Sequence, residues 1–373
     1  MKYCSFCGHP NPDEAVFCGK CGKKLNLNTQ KNGSWVDSLN DYVGNSRPAD
    51  LNWKVLFSDV FKKHSKEEAE MIFICGTSMT TPDRSQVSKD WPHPWLYSRV
   101  LLMFVIAFAL LWICCSVFGN TNALPGLIVV GSFAVPLATM ILFMEVNAWR
   151  NVSMYEVVRI FLVGGCASLV TTLFLFSIYS VDELDFFGAI MVGLIEEIGK
   201  MVIVYLFLRY FGKLSILTGM LVGAAVGAGF AAFESAGYAL HPLVEFLQYS
   251  GYAAAYGQQI DSGQMIDAIN QTIFLRGFLA PGGHVAWAAI SGAALVIAAK
   301  ARGEISTNLF TDSKFLRLFI IPVLLHALWD SPLSAIGADI FLVPILLVIF
   351  VWIIVLILIN MGLSEVAEQQ VIS

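Results

Sequence analysis

Eight apolar segments occupy the chain between residues 97 and 361, and they constrain the fold more than any other feature of the sequence. Each has about 18 to 27 residues, which is long enough to cross a hydrocarbon core of about 30 Å as a helix. The segments are approximately 97–118, 124–144, 155–179, 186–210, 214–240, 282–300, 315–336 and 340–361. A content of 57% hydrophobic and 14% charged residues is also unlike that of a soluble globular protein. The sequence therefore predicts an all-α polytopic membrane protein, with a bundle of about eight transmembrane helices over residues 96–362.

The N-terminus carries two CxxC pairs, Cys4 with Cys7 and Cys18 with Cys21, separated by ten residues. Two such pairs bring four thiolates onto one tetrahedral zinc ion, and a glycine after Cys7 and after Cys21 eases the tight turns. Two redox dithiols or disulfides are the alternative, but the basic neighbours favour thiolates held by a metal. We therefore predict a small zinc-ribbon at residues 1–25 with a structural zinc. Because thiolates need a reducing compartment, this domain is expected in the cytoplasm, where a protein partner can contact it.

Three further segments complete the predicted domain organisation. Residues 26–50 are rich in Asn, Ser and Asp and are expected to form a linker. Residues 51–95 are expected to form a juxtamembrane cytoplasmic segment, with an amphipathic helix over 51–64 and a short strand within 69–83. Residues 363–373 are expected to be a cytoplasmic tail.

The charges between the apolar segments predict the orientation of the bundle. With a cytoplasmic N-terminus, the inner loops contain mainly basic residues, namely Arg150, Arg209, Lys213, Lys300, Arg302, Lys314 and Arg317. The outer loops contain mainly acidic residues, and Arg276 is the only basic residue there. This asymmetry follows the positive-inside rule and predicts that both termini are cytoplasmic. Glu145 and Glu156 flank a predicted inner loop and are expected to be solvated.

The fourth and fifth segments contain charged residues where lipid would surround an isolated helix. Glu196 and Glu197 lie about ten residues into the fourth segment, roughly 15 Å from its outer end. Lys200 shares a helix face with both glutamates and offsets their charge. Glu234 and Tyr238 lie one turn apart in the fifth segment, close to a ridge of glycines at 219, 223 and 227 that indicates helix packing.

The sixth and seventh segments each contribute a histidine. His284 follows a Pro-Gly-Gly turn and lies in the first turn of its helix, while His326 precedes Asp330 by one turn. Asp330 is therefore expected to hold the His326 imidazole in one tautomer. Counted from the outer ends, Glu196 and His326 lie about ten residues deep, Glu234 about six and His284 about two, so all four are expected in the outer half of the membrane. Each residue alone has a structural interpretation, but intramembrane carboxylates are costly and usually functional, so we expect the four segments to form one site.

These motifs, EEIGK, FESAGY, GGH and HALWD in this order, resemble those of the PrsW family of intramembrane proteases, which is related to the CAAX-processing (CPBP) proteases. The resemblance covers about residues 97–362. It implies proteolysis of single-span membrane proteins of the anti-sigma-factor type, as a site-one cut near the outer face of a bacterial plasma membrane. By position, the family's glutamates correspond to Glu196, Glu197 and Glu234, and its later histidines to His284 and His326. The related CAAX group has Asn where this chain has Asp330, and an ionised aspartate would repel an oxyanion.

The chemistry of the residues is consistent with peptide hydrolysis, which needs a water, a base and donors for the developing oxyanion. We expect Glu196 or Glu197 to act as the base, Glu234 or His284 to position the water, and His326 to donate a proton. A glutamic mechanism without a catalytic metal is favoured, and a zinc ion held by the same histidines and carboxylates is the alternative.

Two other classes of function are considered beside proteolysis. A proton-coupled transporter also uses intramembrane Glu, His and Lys, although the sequence has no inverted repeat. An inactive scaffold that recruits partners through the ribbon is less consistent with a full set of polar motifs. A nucleic-acid partner is not expected.

The long outer segment 241–281 contains aromatic residues typical of a membrane interface. Residues 264–279 are expected to form a helix lying at the surface. We expect this segment to gate the site or to present substrate above it.

Overall fold

The structure is a computed structural model that describes residues 2–3, 10–11, 19–20, 34–45, 48, 50–88, 90–211, 214–255 and 262–372. The predicted zinc ligands Cys4, Cys7, Cys18 and Cys21 lie outside the described residues. The chain divides into two compact units, Met1–Ala49 and Asp50–Ser373. The boundary between them falls at the end of the predicted linker.

In its described residues, the first unit contains a short antiparallel pair of strands and one helix. Strand β1 (Lys2–Tyr3) pairs with β2 (Pro10–Asn11), in a register that sets Tyr3 opposite Pro10. Helix α1 (Trp35–Val43) lies within the segment predicted to be a linker.

The ends of α1 explain why a helix forms in this polar segment. The Ser34 hydroxyl accepts a hydrogen bond from the Val36 N–H at 3.3 Å, and Gly44 ends the helix with a φ of 92°. Ser at the N-cap and Gly in the left-handed conformation after the last turn are the usual helix boundaries. These two residues were signals in the sequence that the linker prediction missed.

The second unit is built from helices in the described part of the chain. They are α2 (Lys66–Phe73), α3 (Leu96–Ser116), α4 (Leu124–Val146), α5 (Met154–Arg159), α6 (Gly165–Ile178), α7 (Phe186–Tyr210), α8 (Ile216–Ala255), α9 (Ser262–Leu279), α10 (His284–Arg302), α11 (Ser313–Asp330) and α12 (Leu342–Ile372). A π-helical turn, Ile160–Gly164, joins α5 to α6. Every predicted apolar segment coincides with one of these helices or with the joined pair α5 and α6.

Six helical segments of the described part are long and apolar enough to cross a membrane. They are Leu96–Ser116, Thr121–Val146, Met154–Ile178, Ile216–Tyr252, Ser262–Lys300 and Leu342–Val366. The protein is therefore a multi-pass, all-α membrane protein. The fourth and seventh predicted segments form α7 and α11. These two helices carry more charged residues and are not among the six, so the number of eight spans stays a prediction.

The juxtamembrane segment differs from the prediction at both points. Within the predicted amphipathic helix, only a 3-10 turn forms, at Trp53–Phe57. Helix α2 covers the first residues of the stretch that was predicted to contain a strand. The Ser65 hydroxyl accepts from the Glu68 N–H at 3.1 Å, and Glu67 also lies in the first turn. A capping serine followed by acidic residues favours a helix here because it satisfies the free N–H groups and complements the dipole.

Glu145 is buried, so the expectation of a solvated residue is wrong. Its carboxylate accepts hydrogen bonds from the backbone N–H groups of residues 95, 96 and 97, each at 2.9 Å. These groups lie at the start of α3, where a helix has no partners of its own for its first N–H groups. Glu145 of α4 therefore caps α3 and fixes the two helices to each other.

The predicted cytoplasmic tail begins inside the bundle. Helix α12 continues to Ile372, and Leu363 and Val366 are buried. Glu365 accepts a hydrogen bond from the Ile216 N–H at 2.9 Å and forms an ion pair with Lys300. The beginning of the predicted tail thus ties α12 to the start of α8 and the end of α10.

The glycine ridge of α8 packs against α10, as predicted for a helix interface. A Cβ atom at Gly223 would lie 2.0 Å from the carbonyl oxygen of Ala288, and one at Gly227 would lie 2.2 Å from that of His284. Only hydrogen fits at these positions, so the two backbones are in direct contact. This contact sets the height of His284 relative to α8.

Helix α9 forms where a surface helix is predicted, but it packs into the bundle. Met265, Ile266, Ile269 and Ile273 are buried in an apolar core with residues of α3, α4 and α8. The opposite face remains exposed, including Phe274. The C-terminal end of α9 therefore approaches the polar residues of the neighbouring helices.

Candidate active site

A cavity of about 500 Å³ opens among α7, α8, α9, α10 and α11. Polar side chains from all five helices line it, namely Glu196, Glu234, Arg276, His284, His326 and Asp330. Tyr238 lies on the same wall. A polar cavity inside a largely apolar bundle is a suitable place for a reaction that consumes water.

Helix α7 reaches this cavity because it packs closely on α11. A Cβ atom at Gly193 would lie 2.9 Å from the Val323 carbonyl oxygen, so the two backbones touch one turn before the glutamates. Glu197 is completely buried and contacts the Nζ of Lys200 at 2.7 Å and the Nδ1 of His326 at 2.9 Å. Glu197 is therefore held by two partners through Oε1, while its Oε2 has no hydrogen-bond partner among the described residues. Unlike Glu196, Glu197 is not one of the residues that line the cavity.

Glu196 lines the cavity and is less tightly held. Its Oε2 atom lies 3.6 Å from Lys200 Nζ, 3.6 Å from His326 Nε2 and 3.9 Å from His284 Nδ1. Among the residues that the structure describes, this buried oxygen has no hydrogen-bond partner. Distances slightly beyond direct hydrogen bonding leave the oxygen available for a bound water or ion.

Lys200 determines the tautomer of His284. The fully buried ammonium group lies 2.8 Å from His284 Nδ1, and because it can only donate, Nδ1 must accept. The neutral ring then carries its proton on Nε2, which donates to the Glu234 carboxylate at 3.0 Å. Both nitrogens of His284 are thus engaged.

Both ring nitrogens of His326 face carboxylates. Nδ1 contacts Glu197 at 2.9 Å, and Nε2 lies 3.3 Å from Asp330. The predicted Asp330 contact is present, while the contact with Glu197 comes from a different helix and was not expected. Two carboxylates therefore orient this ring.

Arg276 belongs to the site although it is not one of the predicted site residues. Its guanidinium forms an ion pair with Glu234, and its Nε donates to the Ser235 hydroxyl at 2.9 Å. The Tyr238 ring stacks on this guanidinium, with 4.3 Å between the ring centroid and the guanidinium carbon. The only basic residue in the predicted outer loops was a signal that could have identified Arg276.

The structure brings all eight predicted site residues into one connected cluster. Tyr238 joins it through Arg276, and Asp330 joins it through His326. Side chains from the four predicted segments, now α7, α8, α10 and α11, line the same cavity. The catalytic roles of the individual residues stay proposals.

A family model described as the PrsW family intramembrane metalloprotease matches residues 153–358, more than half of the chain. The chain belongs to the PrsW family. All eight cluster residues fall within the matched range, and membership supports intramembrane proteolysis rather than transport. A zinc-ribbon domain model matches residues 3–25 and supports a structural zinc at the N-terminus. Comparisons with curated proteins and with solved structures find no match.

The description of the PrsW family as metalloproteases raises the question of a catalytic metal. Glu196, His284 and His326 each offer one ligand atom, and these atoms lie within 4.8 Å of one another. Two imidazoles and one carboxylate are a common zinc ligand set. The hydrogen bond from His326 Nδ1 to Glu197 is also the usual support for a metal-binding histidine. These residues therefore fit a metal ion, provided that His284 releases one of its two present partners.

Proposed function

We propose that this PrsW-family chain hydrolyses a peptide bond of a single-span membrane protein, as an anti-sigma-factor-like, site-one endopeptidase acting near the outer face of the membrane. Glu196 activates the water. The observation that carries this proposal is the buried Oε2 of Glu196, which lines the cavity and has no hydrogen-bond partner among the described residues. A base of this kind must be within hydrogen-bond reach of the water it deprotonates.

The reaction proceeds in two steps at Glu196 and His326. Glu196 takes a proton from the water as the water oxygen bonds to the scissile carbonyl carbon. His326, with Nε2 beside the same oxygen of Glu196, donates a hydrogen bond to the oxyanion. The C–N bond then breaks, and the proton held by Glu196 passes to the leaving nitrogen.

The remaining polar residues hold Glu196 and His326 in place. Glu197 orients His326 and balances the charge of Lys200, because it contacts both and has no exposed surface. Lys200 supplies positive charge close to Glu196 and fixes the tautomer of His284. We therefore assign the base to Glu196, which lines the cavity, and a supporting role to Glu197, whereas the sequence left the base open between them.

A metal-assisted mechanism is the second candidate, and the three converging ligand atoms favour it. Glu196, His284 and His326 would hold the ion, which when bound would polarise the water and the scissile carbonyl. The engagement of both His284 nitrogens, by Lys200 and by Glu234, favours the arrangement without a metal.

The orientation and partners belong to the same proposal. We place the chain in the bacterial plasma membrane, with both termini in the cytoplasm and the site near the outer face. This orientation agrees with the charges of the loops. Cys4, Cys7, Cys18 and Cys21 hold the structural zinc, and the ribbon contacts a cytoplasmic protein.

The proposal is tested by comparing cells that express the wild type with cells that express Glu196→Gln. Gln has the same shape but cannot accept the proton, so we expect cleavage to fall by at least about 100-fold. The measurement is a comparison of membrane proteins that lose their external domain, followed by co-expression of a tagged single-span candidate.

The control for this experiment is Glu245→Gln, which removes an exposed carboxylate of α8 outside the cluster. We expect it to cleave like the wild type. Wild-type cleavage by Glu196→Gln, with normal amounts of folded protein in the membrane, would refute the role of Glu196.

A further inference from the structure

Arg276 makes three separate contacts with the wall of the cavity. Its guanidinium pairs with Glu234, donates to Ser235 at 2.9 Å and stacks against Tyr238 at 4.3 Å. All three partners lie on α8, within two turns of one another. Arg276 is therefore the residue through which the end of α9 holds the polar face of α8.

The contact with Glu234 leads directly to the centre of the site. One oxygen of Glu234, Oε2, accepts from both Arg276 and the Nε2 of His284. The other nitrogen of His284 accepts from Lys200, which in turn contacts Glu197. The contacts form one uninterrupted series from α9 to the glutamate pair.

Charge explains what Arg276 contributes to this series. Glu234 lies in the interior of the bundle, where an unpaired carboxylate is costly. The guanidinium presents several donors in a rigid plane, so it fixes the orientation of a carboxylate better than a flexible ammonium group does. A fixed Glu234 keeps the Nε2 proton of His284 in place, and Nδ1 then stays directed at Lys200.

We propose that Arg276 is a positioning residue of the catalytic cluster, which acts by fixing Glu234 and, through it, the ring of His284. The proposal rests on the proteolytic function proposed above. It also assigns a role to α9, because the position of this helix determines whether Arg276 reaches Glu234 and the cluster is assembled.

The experiment uses the full-length chain with Arg276→Ala and the tagged single-span protein that the wild type cleaves. We expect kcat to fall about 10- to 100-fold, as is typical when a supporting partner of a site histidine is removed. KM should stay within about twofold, since Arg276 positions catalytic groups and does not hold the substrate. Arg276→Lys should retain more activity than Arg276→Ala because it keeps the positive charge.

Chemical rescue distinguishes positioning from a contribution to folding. Arg276 lines the open cavity, so its removal leaves room for a free guanidinium ion beside Glu234. Millimolar guanidinium chloride should restore part of the kcat of Arg276→Ala, and sodium chloride at equal ionic strength should not. Guanidinium should have no effect on Glu196→Gln.

Two controls make the result decisive. Arg302→Ala removes another ion-paired arginine, whose Nε lies 3.0 Å from Asp312 at the far end of α10, and it should leave kcat unchanged. The double variant Arg276→Ala with Glu234→Gln should lose no more activity than Glu234→Gln alone.

Three results would overturn the proposal: activity of Arg276→Ala within about twofold of the wild type, an unchanged kcat with a raised KM, or a loss that guanidinium does not restore. A wild type that cleaves no single-span protein would instead refute the proposed function itself.

Discussion

At the residue scale, the site depends on charges that are balanced by contact rather than by water. Lys200 has no exposed surface, and Glu197 lies 2.7 Å from its ammonium group. The rings of Phe230 and Trp287 lie 4.5 and 5.8 Å from the same nitrogen. A carboxylate and two aromatic faces together offset the loss of hydration, which is why a lysine is tolerated here.

Removal of the ribbon zinc allows the two candidate mechanisms to be separated. In the full-length chain with Cys4, Cys7, Cys18 and Cys21 replaced by Ser, we expect no bound zinc and a cleavage activity that survives a zinc chelator. The reason is that Lys200 and Glu234 already occupy both nitrogens of His284. Metal analysis of the purified variant, with activity measured before and after chelation, provides the test.

One zinc per chain in that variant, lost again when His326 is also replaced by Ala, would instead establish the metal-assisted mechanism. The ribbon substitutions are needed because a zinc-ribbon domain supports a zinc of its own at residues 3–25.

At the scale of elements, the site is assembled by two close helix contacts. The glycines of α8 bring it against α10, which carries His284, and Gly193 brings α7 against α11, which carries His326. Because the backbones touch, these contacts set the height of α8 relative to α10 and of α7 relative to α11. The positions of the polar groups therefore depend on these glycines, whose lack of a side chain allows the helix backbones to touch.

A single added methyl group tests the α8–α10 contact. We expect Gly223→Ala to lower the free energy of unfolding by about 1–3 kcal/mol, because its Cβ would overlap the backbone oxygen of Ala288. Cleavage should also fall, since α10 must move and His284 moves with it. Unfolding in detergent and cleavage of the tagged substrate are the measurements.

The matched control is Gly251→Ala in the same helix. A Cβ atom there meets nothing within 4 Å, so the greater helix propensity of alanine should raise stability by up to about 1 kcal/mol. Equal effects of the two substitutions would contradict the proposed close contact.

At the scale of the whole molecule, the apolar helices form a multi-pass bundle that contains the polar cavity of the site. Among the helices of 18 residues or more, α7 and α11 contain the most charged residues, and they carry the glutamate pair and the His326–Asp330 pair. Glu196, His326 and Asp330 of these helices line the cavity, while α7 also exposes apolar residues such as Ile190 and Leu206. This distribution is expected of helices that face both lipid and an internal site.

Cysteine labelling tests whether α7 crosses the membrane. Helix α7 has 25 residues and a length of about 37 Å, so Asp182→Cys and Arg209→Cys should lie on opposite sides. We expect an impermeant maleimide to label residue 182 from outside and residue 209 only after the cells are opened.

Glu304→Cys, in a predicted inner loop, is the control and should behave like residue 209. The native Cys75 should react slowly, because it is buried and burial raises the pKa of its thiol. Labelling of residues 182 and 209 from the same side would show that α7 does not cross.

The sequence predicted the long apolar helices of the bundle, while the depth of the site in the membrane stays a prediction. Hydropathy is a local property, so the range predicted for α7 agrees with the structure to the residue. The depth of Glu196, Glu234 and His326 follows from counting along these helices at a constant rise. The capping serine and glycine of α1 were equally local signals, and they were missed.

The partners of each polar group were decided only by the tertiary structure. The contact of His326 with Glu197, the cap that Glu145 forms on α3 and the entry of Arg276 into the site all join residues far apart in sequence. Such contacts depend on the rotation of each helix about its axis and on the distance between axes. Those two quantities are set by packing between helices, and no single segment of the sequence contains them.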